Sequence, residues 1–233
     1  MLPVAILAGG LATRLGALTQ TTPKALIEVG GRPFIAWQLE MLAREGVERV
    51  VLCIKHFGSR IRDFVGDGRA FALDVEYSED GDRLLGTGGA LRAALFLLGK
   101  EFFVMYGDSY LTINLARVEE AFRAQRQPAL MAVLRNEDRW DKSNVWLERG
   151  RIRAYSKKSF RPEMHHIDYG LGVLTAGLFE RAGLAEAFDL SDLYEVLAAE
   201  GNLGCYEATD RFYEIGSFDG LREANAIFRE GSK

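Results

Sequence analysis

An α/β fold is what this 233-residue chain predicts: a Rossmann-like, mostly parallel sheet with helices on both faces, and a smaller β-rich part following it. Three observations predict it. Short apolar runs alternate with amphipathic helical stretches up to about residue 128, the order that builds parallel sheets covered by helices. The first apolar run, VAILAG, breaks at once into a Gly-Gly pair, as a buried strand does when it turns at a sheet edge. Apolar residues make up 48% of the chain, enough to bury the core of one sizeable domain.

The elements follow in order. VAILAG reads as a buried strand. FIAWQLEMLAREG carries Phe34, Trp37, Leu39 and Leu42 at helical spacing, with Gly46 as its stop. RVVLCIK is the next strand, SRIRDFVGDG a short helix ending in glycines, LDVEYSED a strand and TGGALRAALFLLG a helix. EFFVMYGDS is a strand that ends in a polar turn. Beyond about Ala129 strand-like runs lie closer together: ALMAVLRN, then NVWLERGRIRAYS as a hairpin turning at ERG, then YGLGVLTAGLF. DLSDLYEVLAAEG is a helix, CYEATDRFYEIGS a short strand and turn, and FDGLREANAIFREG a last helix. No linker, repeat or low-complexity segment interrupts the chain, so residues 1–233 are expected to form a single domain in two parts, about 1–128 and about 129–233. Trp37, Phe96, Phe102 and Phe103 sit in apolar runs and are assigned to the core.

Composition bounds the function. Against 33 acidic residues stand 29 Lys and Arg, a net charge of -4, which argues against a nucleic-acid binder. No apolar run approaches membrane-spanning length. MLPVAILAGG lacks the basic start of a secretion signal, so a cytoplasmic protein is expected. Cys53 and Cys205 lie far apart in apolar segments with no metal-type spacing, and are read as buried thiols in a reducing compartment.

LAGGLATRLGALTQTTPKAL, from Leu7 to Leu26, holds two cations and no acid. Gly9 and Gly10 let backbone amides approach an anion, in a concavity flanked by Leu7 and Ala8. Arg14 and Lys24 supply a fork and a point charge for phosphate oxygens, with Pro23 fixing the chain before Lys24. The spacing is neither the dinucleotide fingerprint nor the P-loop. A strand-to-loop turn with two solvated cations is the plainer alternative. FFVMYGDSYL places Asp108 after a buried strand, at the edge where open α/β sheets bind ligands, and a carboxylate there suits Mg²⁺. Its plainer role is a turn aspartate. LLGTGGALRAAL sets Gly86, Thr87, Gly88 and Gly89 before a helix, either to approach a ligand by backbone or to cap that helix with Thr87.

Taken whole, the Leu7–Leu26 segment resembles the signature of the sugar-1-phosphate nucleotidyltransferases, Gly-Gly-x-x-T-R-L followed by P-K. Within that family the chain is similar to short bacterial heptose-1-phosphate and mannose-1-phosphate guanylyltransferases. The resemblance implies attack of a sugar 1-phosphate oxygen on the α-phosphorus of a nucleoside triphosphate, with pyrophosphate leaving and Mg²⁺ as cofactor. Residues 1–128 would bind the nucleotide and residues 129–233 the sugar. Arg14 would hold the pyrophosphate and Lys24 the charge near the α-phosphate. Leu7, Ala8, Gly9, Gly10, Gly86, Thr87 and Gly88 would surround the nucleotide. Related enzymes often read a pyrimidine with a glutamine before the Gly86 loop; Arg83, Leu84 and Leu85 stand here, which leans to a purine and so to GTP.

The family's second metal ligand is an aspartate near the C-terminus. In FYEIGSFDGL its place is taken by Glu214, with Ser217 replacing a threonine and Asp210 and Asp219 nearby. RIRAYSKKS resembles the family's E-K-P segment, with Lys158 on the lysine, Lys157 on the glutamate and Ser159 on the proline; a solvated strand end is the alternative for both lysines. Asn144, Tyr169 and Gly170 fall on sugar-contact positions. His165 and His166 lack ligand spacing and are expected in a loop or a partner contact. Two other readings stay open: cytidylyl or uridylyl transfer to another phosphate acceptor, and a non-catalytic nucleotide-sugar-binding subunit.

Overall fold

The computed structural model of the protein describes residues 1–10, 15–16, 22–55, 57–79, 81, 84–181 and 184–230. In chain order the elements are β1 (Val4–Leu7), β2 (Glu28–Val29), β3 (Arg32–Pro33), α1 (Phe34–Arg44), β4 (Arg49–Ile54), α2 (Gly58–Val65), β5 (Asp74–Glu79), α3 (Gly86–Leu98), β6 (Glu101–Tyr106), β7 (Ser109–Tyr110), α4 (Leu115–Gln125) and β8 (Ala129–Arg135). There follow β9 (Val145–Glu148), β10 (Arg151–Tyr155), β11 (His166–Thr175), α5 (Leu190–Glu200), β12 (Leu203–Ala208), β13 (Tyr213–Glu214) and α6 (Phe218–Glu230).

Among the described residues one mixed sheet runs β10-β9-β11-β6-β1-β4-β5, with β8 joined to β11 and β12 to β8. β1 lies parallel between β4 and β6, with Leu7 level with both Cys53 and Tyr106. Hence β1, β4 and β6 end at one edge. From β1 the chain steps through α1 to β4, through α2 to β5, then returns through α3 to β6 on the other side. The crevice between β1 and β6 is therefore the switch point where such sheets bind ligands.

Strand alternation divides the core into two layers. Val4, Ile6, Val50, Leu52, Phe103 and Met105 pack under α1, α2 and α4. Their neighbours Ala5, Val51, Cys53, Phe102 and Val104 pack under α3 and α5. Continuous apolar runs buried on both faces of a sheet need helices on both, and these strands are such runs. A third cluster joins Val29, Phe34 and Ile215 to Ala224 and Phe228 of α6.

The structure corrects several expectations. α4 is an element the sequence reading passed over, although its buried residues Leu115, Val118 and Phe122 stand at helical spacing and Asn114 caps it by accepting the Arg117 amide at 2.9 Å. Phe96 is not core: it is 81% exposed on the outer face of α3, where FLL puts three apolar residues around a helix that buries only one side. Phe102 and Phe103 are fully buried, whereas Trp37 is partly buried and packs at a tilt against Phe228. Cys53 is buried but Cys205 only partly so; burial, then Glu207, still pushes its thiol up to about 12. His166 opens β11 and lies 3.2 Å from Glu207. Among the described residues no helix is long and apolar enough to cross a membrane.

Candidate active site

Two adjoining cavities open at the ends of β1 and β6, and Lys24, Tyr106 and Asp108 line both. Leu7, Ala8, Gly9 and Gly10 form one wall of the first cavity, of about 320 Å³, and Leu84, Leu85, Gly86 and Thr87 form another. The second, of about 480 Å³, is bounded by Asn144, Lys157, Asp168, Gly170, Arg211 and Glu214 among others. The first is mainly apolar in lining and the second mainly polar, a division suited to a base on one side and hydroxyl groups on the other.

Asp108 sits in the turn between β6 and β7. Gly107 donates its amide to the Leu7 carbonyl at 3.1 Å, and a Cβ there would lie 2.5 Å from that same oxygen. Only glycine lets β6 stay this close to β1 and deliver the next residue into the crevice. From beneath, fully buried Gln38 on α1 donates through Nε2 to the Ser109 carbonyl at 2.8 Å and the Tyr106 carbonyl at 3.2 Å. One amide thus clamps both flanks of Gly107-Asp108.

Lys24 is held on a single 3-10 turn, Lys24–Leu26, behind Pro23. Its Nζ lies 2.7 Å from Asp108 Oδ2. Glu214 arrives through the pairing of β13 with β7, in which it faces Ser109, and Ile215 donates to the Asp108 carbonyl at 2.9 Å. Its carboxylate accepts the Gly216 amide and, at 2.5 Å, the Ser217 hydroxyl. Ser217 in turn accepts the Gly220 amide at 3.0 Å. A Cβ on Gly216 would stand 2.6 Å from Glu214 Oε2 and 3.2 Å from both Asp108 Oδ2 and Lys24 Nζ. Three charged groups from distant parts of the chain therefore crowd one point. Among the described residues no three His, Cys, Asp or Glu side chains gather as a metal cage. Mg²⁺ does not need one, since one or two carboxylates suffice when phosphates and waters complete its shell. The hard oxygens of Asp108 and Glu214 fit that requirement. Asp210 and Asp219 line neither cavity; Asp219 pairs with Arg222 in solvent.

The glycines of the LLGTGGALRAAL segment serve packing. Gly88 and Gly89 donate to the Phe188 carbonyl at 2.9 and 3.2 Å, and a Cβ on Gly88 would collide with the Phe188 ring. Gly88 lines neither cavity; Gly86 and Thr87 line the first. Thr87 is not the cap of its own helix, whose cap position is Leu85. Its hydroxyl accepts the Leu190 amide at 2.8 Å and so caps α5 instead, tying the starts of α3 and α5 together.

In the second cavity Asn144 accepts the Asp168 amide at 2.9 Å, which fixes β11 beside the cavity floor. Gly170 is on the wall, but Tyr169 is fully buried beneath it, packed on Phe212 with its hydroxyl near Thr112. The alternation of β11 sends neighbouring side chains to opposite faces. The paired lysines diverge in the bend after β10, where Ser156 Oγ accepts the Lys158 and Ser159 amides at 3.1 and 2.9 Å. Lys158 is 71% exposed and bonds Asp192 at 2.9 Å, away from both cavities. Lys157 faces the second cavity, with Nζ 3.3 Å from the Tyr106 hydroxyl and 3.8 Å from Asp168.

Sequence reasoning missed Tyr106, Asp168, Trp140 and Arg211. Asp168 is 8% exposed and accepts from Tyr155 at 3.2 Å, Tyr106 at 3.3 Å and the Gly170 amide at 2.9 Å. Burial, then the Asp168 charge, holds the Tyr106 phenol well above its ordinary range, so it remains a donor. Arg211 stacks between Trp140 and Tyr213 at 4.6 and 5.0 Å while bonding Glu223. Asp168 follows His-His-Ile in a run where no motif flags it. Trp140 and Arg211 belong to loops whose spacing carries no signal. Arg14 lies outside the described residues, as does Arg83.

Comparison with known proteins adds to this geometry. Residues 4–230 match the family described as the MobA-like NTP transferase domain. The chain is 29% identical to the N-acetylmuramate alpha-1-phosphate uridylyltransferase of Neisseria meningitidis, over 95% of this chain and 96% of that one. It is 26% identical to the D-glycero-alpha-D-manno-heptose 1-phosphate guanylyltransferase of Campylobacter jejuni, over 91% and 93% of the two chains. Its fold matches HddC from Yersinia pseudotuberculosis, solved in complex with GMP-PN, with a TM-score of 0.81 and 22% identity over 98% of this chain and all of that one.

Proposed function

Because the chain belongs to the family of MobA-like NTP transferase domains, we propose that it is a Mg²⁺-dependent sugar-1-phosphate nucleotidyltransferase, converting a nucleoside triphosphate and a sugar 1-phosphate to a nucleoside diphosphate sugar and pyrophosphate. The observation that carries this reading is the meeting of Lys24, Asp108 and Glu214 at the junction of an apolar and a polar cavity.

The chemistry needs placement and charge neutralisation more than a base, since the attacking phosphate is already ionised. The apolar cavity receives the base and ribose. The amides of Gly9 and Gly10 and the ammonium of Lys24 face the phosphates. Arg14, by its place in the motif, holds the departing pyrophosphate. Asp108 and Glu214 would hold the cation, which when bound would neutralise charge on the phosphate oxygens. The polar cavity receives the sugar, whose hydroxyls meet Asn144, Asp168 and the Gly170 backbone. Lys157 is the lysine placed to meet the sugar phosphate.

The preferred substrates are GTP with a heptose or mannose 1-phosphate, supported by the likeness to a heptose 1-phosphate guanylyltransferase and by the absence of a glutamine beside Gly86. A uridylyl transfer to an amino-sugar 1-phosphate is the second reading, favoured by the likeness to the Neisseria enzyme. Pyrophosphate release measured for four triphosphates against heptose, mannose, glucose and N-acetylmuramate 1-phosphates separates the two. The account requires turnover with at least one pair, highest with GTP; silence across the panel contradicts it.

A further inference from the structure

We infer that Asp189 is the residue that selects the base, and that it selects guanine. The inference rests on the nucleotidyltransferase reading above and deepens it. Lys24 and Asp108 mark the end of the first cavity that opens into the second, so the phosphates belong there. The base then occupies the far end, against Leu84, Leu85 and Gly86. On the described walls of this cavity stand two carboxylates: Asp108 at the phosphate end, and Asp189 beside Gly86 and Thr87.

Asp189 is fixed there by the junction of α3 and α5. Its Oδ1 accepts the Thr87 amide at 3.3 Å and lies 3.4 Å from the Thr87 hydroxyl. It precedes Leu190, whose amide that same hydroxyl accepts. A Cβ on Gly86 would come within 2.5 Å of the Phe188 carbonyl and 3.1 Å of Asp189 Oδ1, so the glycine loop is what lets the carboxylate reach the cavity.

A carboxylate accepts only. Guanine presents two adjacent donors, N1–H and the 2-amino group, which a carboxylate can engage together. Uracil and thymine present one donor flanked by two carbonyl oxygens, which a carboxylate repels. Adenine and cytosine set an acceptor beside their amino group. A site built to receive two donors leaves itself unpaired with the wrong base, and a bidentate pair of this kind discriminates by about 10- to 100-fold.

The test uses the full chain with Mg²⁺ and its best sugar 1-phosphate, and compares kcat/KM for GTP, inosine triphosphate, xanthosine triphosphate and UTP. Inosine lacks the 2-amino donor, and xanthine replaces it with a carbonyl. The wild type should prefer GTP to the inosine analogue by about tenfold. Asp189→Asn keeps an oxygen for the Thr87 amide but turns an amino group toward the base. It should lower kcat/KM for GTP by about 10- to 100-fold and raise it for xanthosine triphosphate, leaving KM for the sugar phosphate unchanged. An unaltered ratio of GTP to xanthosine triphosphate in a folded variant overturns the inference while leaving nucleotidyl transfer intact. So does a wild type that prefers UTP or treats the guanine and inosine analogues alike, a comparison that needs no variant. No transfer from any triphosphate by the wild type overturns the function and this inference together.

Discussion

Gln38 and Lys157 show how much of the site depends on single side chains set at the right depth. Gln38 has no path to solvent, and its two Nε2 hydrogens are spent on the carbonyls on either side of Gly107-Asp108. Replacing it with leucine leaves two carbonyls unpaired at the base of the turn, a cost of about 1–3 kcal/mol for each buried group left unsatisfied. Where the turn absorbs that cost by shifting, Asp108 shifts with it. Gln38→Leu should therefore raise the Mg²⁺ concentration needed for half-maximal activity more than it lowers the rate at saturating Mg²⁺. A variant that loses rate with an unchanged Mg²⁺ dependence would show that the clamp does not serve Asp108. The adjacent lysines give a cleaner contrast. Lys157→Ala removes a cation from the cavity and should raise KM for the sugar phosphate about tenfold or more, the scale of one charge-assisted contact. Lys158→Ala removes an exposed partner of Asp192 and should change KM little. The reverse pattern in steady-state kinetics would return the role to Lys158.

At the scale of elements, the sequence was most legible where periodicity and punctuation agree. The VAIL, RVVLCI and EFFVMY strands, the ERG turn and the Gly46 stop all carry local signals that the structure repeats. The family resemblance singled out Lys24, Asp108 and Glu214, and the structure brings these three side chains close together. What stayed illegible has a physical cause. Lys157 and Lys158 lie in a bend beyond β10 that Ser156 holds through the Lys158 and Ser159 amides, so no strand period tells which of them turns to the cavity. Tyr169 and Gly170 are separated by the two-residue period of β11. Asp168 gains its importance only when β6, β10 and β11 bring Tyr106, Tyr155 and Gly170 around it, which no local pattern encodes. The glycines of the α3 loop divide in the same way. Gly88 is required by the Phe188 ring, so Gly88→Ala should lower stability by about 1–3 kcal/mol through overpacking. Gly10, after β1, is a contrast: a Cβ there would meet nothing within 4 Å among the described residues, so alanine should change the melting temperature little. Equal melting temperatures for the two variants would show that the α3–α5 junction is looser than its packing indicates.

For the whole molecule, the decisive feature is the direction of the parallel strands. β1, β4 and β6 deliver Gly9, Lys55 and Asp108 to one edge, and β13 pairs with β7 to set Glu214 beside Asp108. On the proposed reading, a net negative protein would thus meet anionic phosphates locally with Lys24 and with a cation held by Asp108 and Glu214. The measurement that tests this most directly is pyrophosphate release from GTP and a sugar 1-phosphate, with Mg²⁺ and with excess chelator, for the wild type and Asp108→Asn. The account predicts release by the wild type with Mg²⁺, loss on chelation, and a fall of at least about 100-fold in Asp108→Asn at an unchanged melting temperature. Turnover by Asp108→Asn near the wild-type rate, or turnover indifferent to chelation, would contradict it.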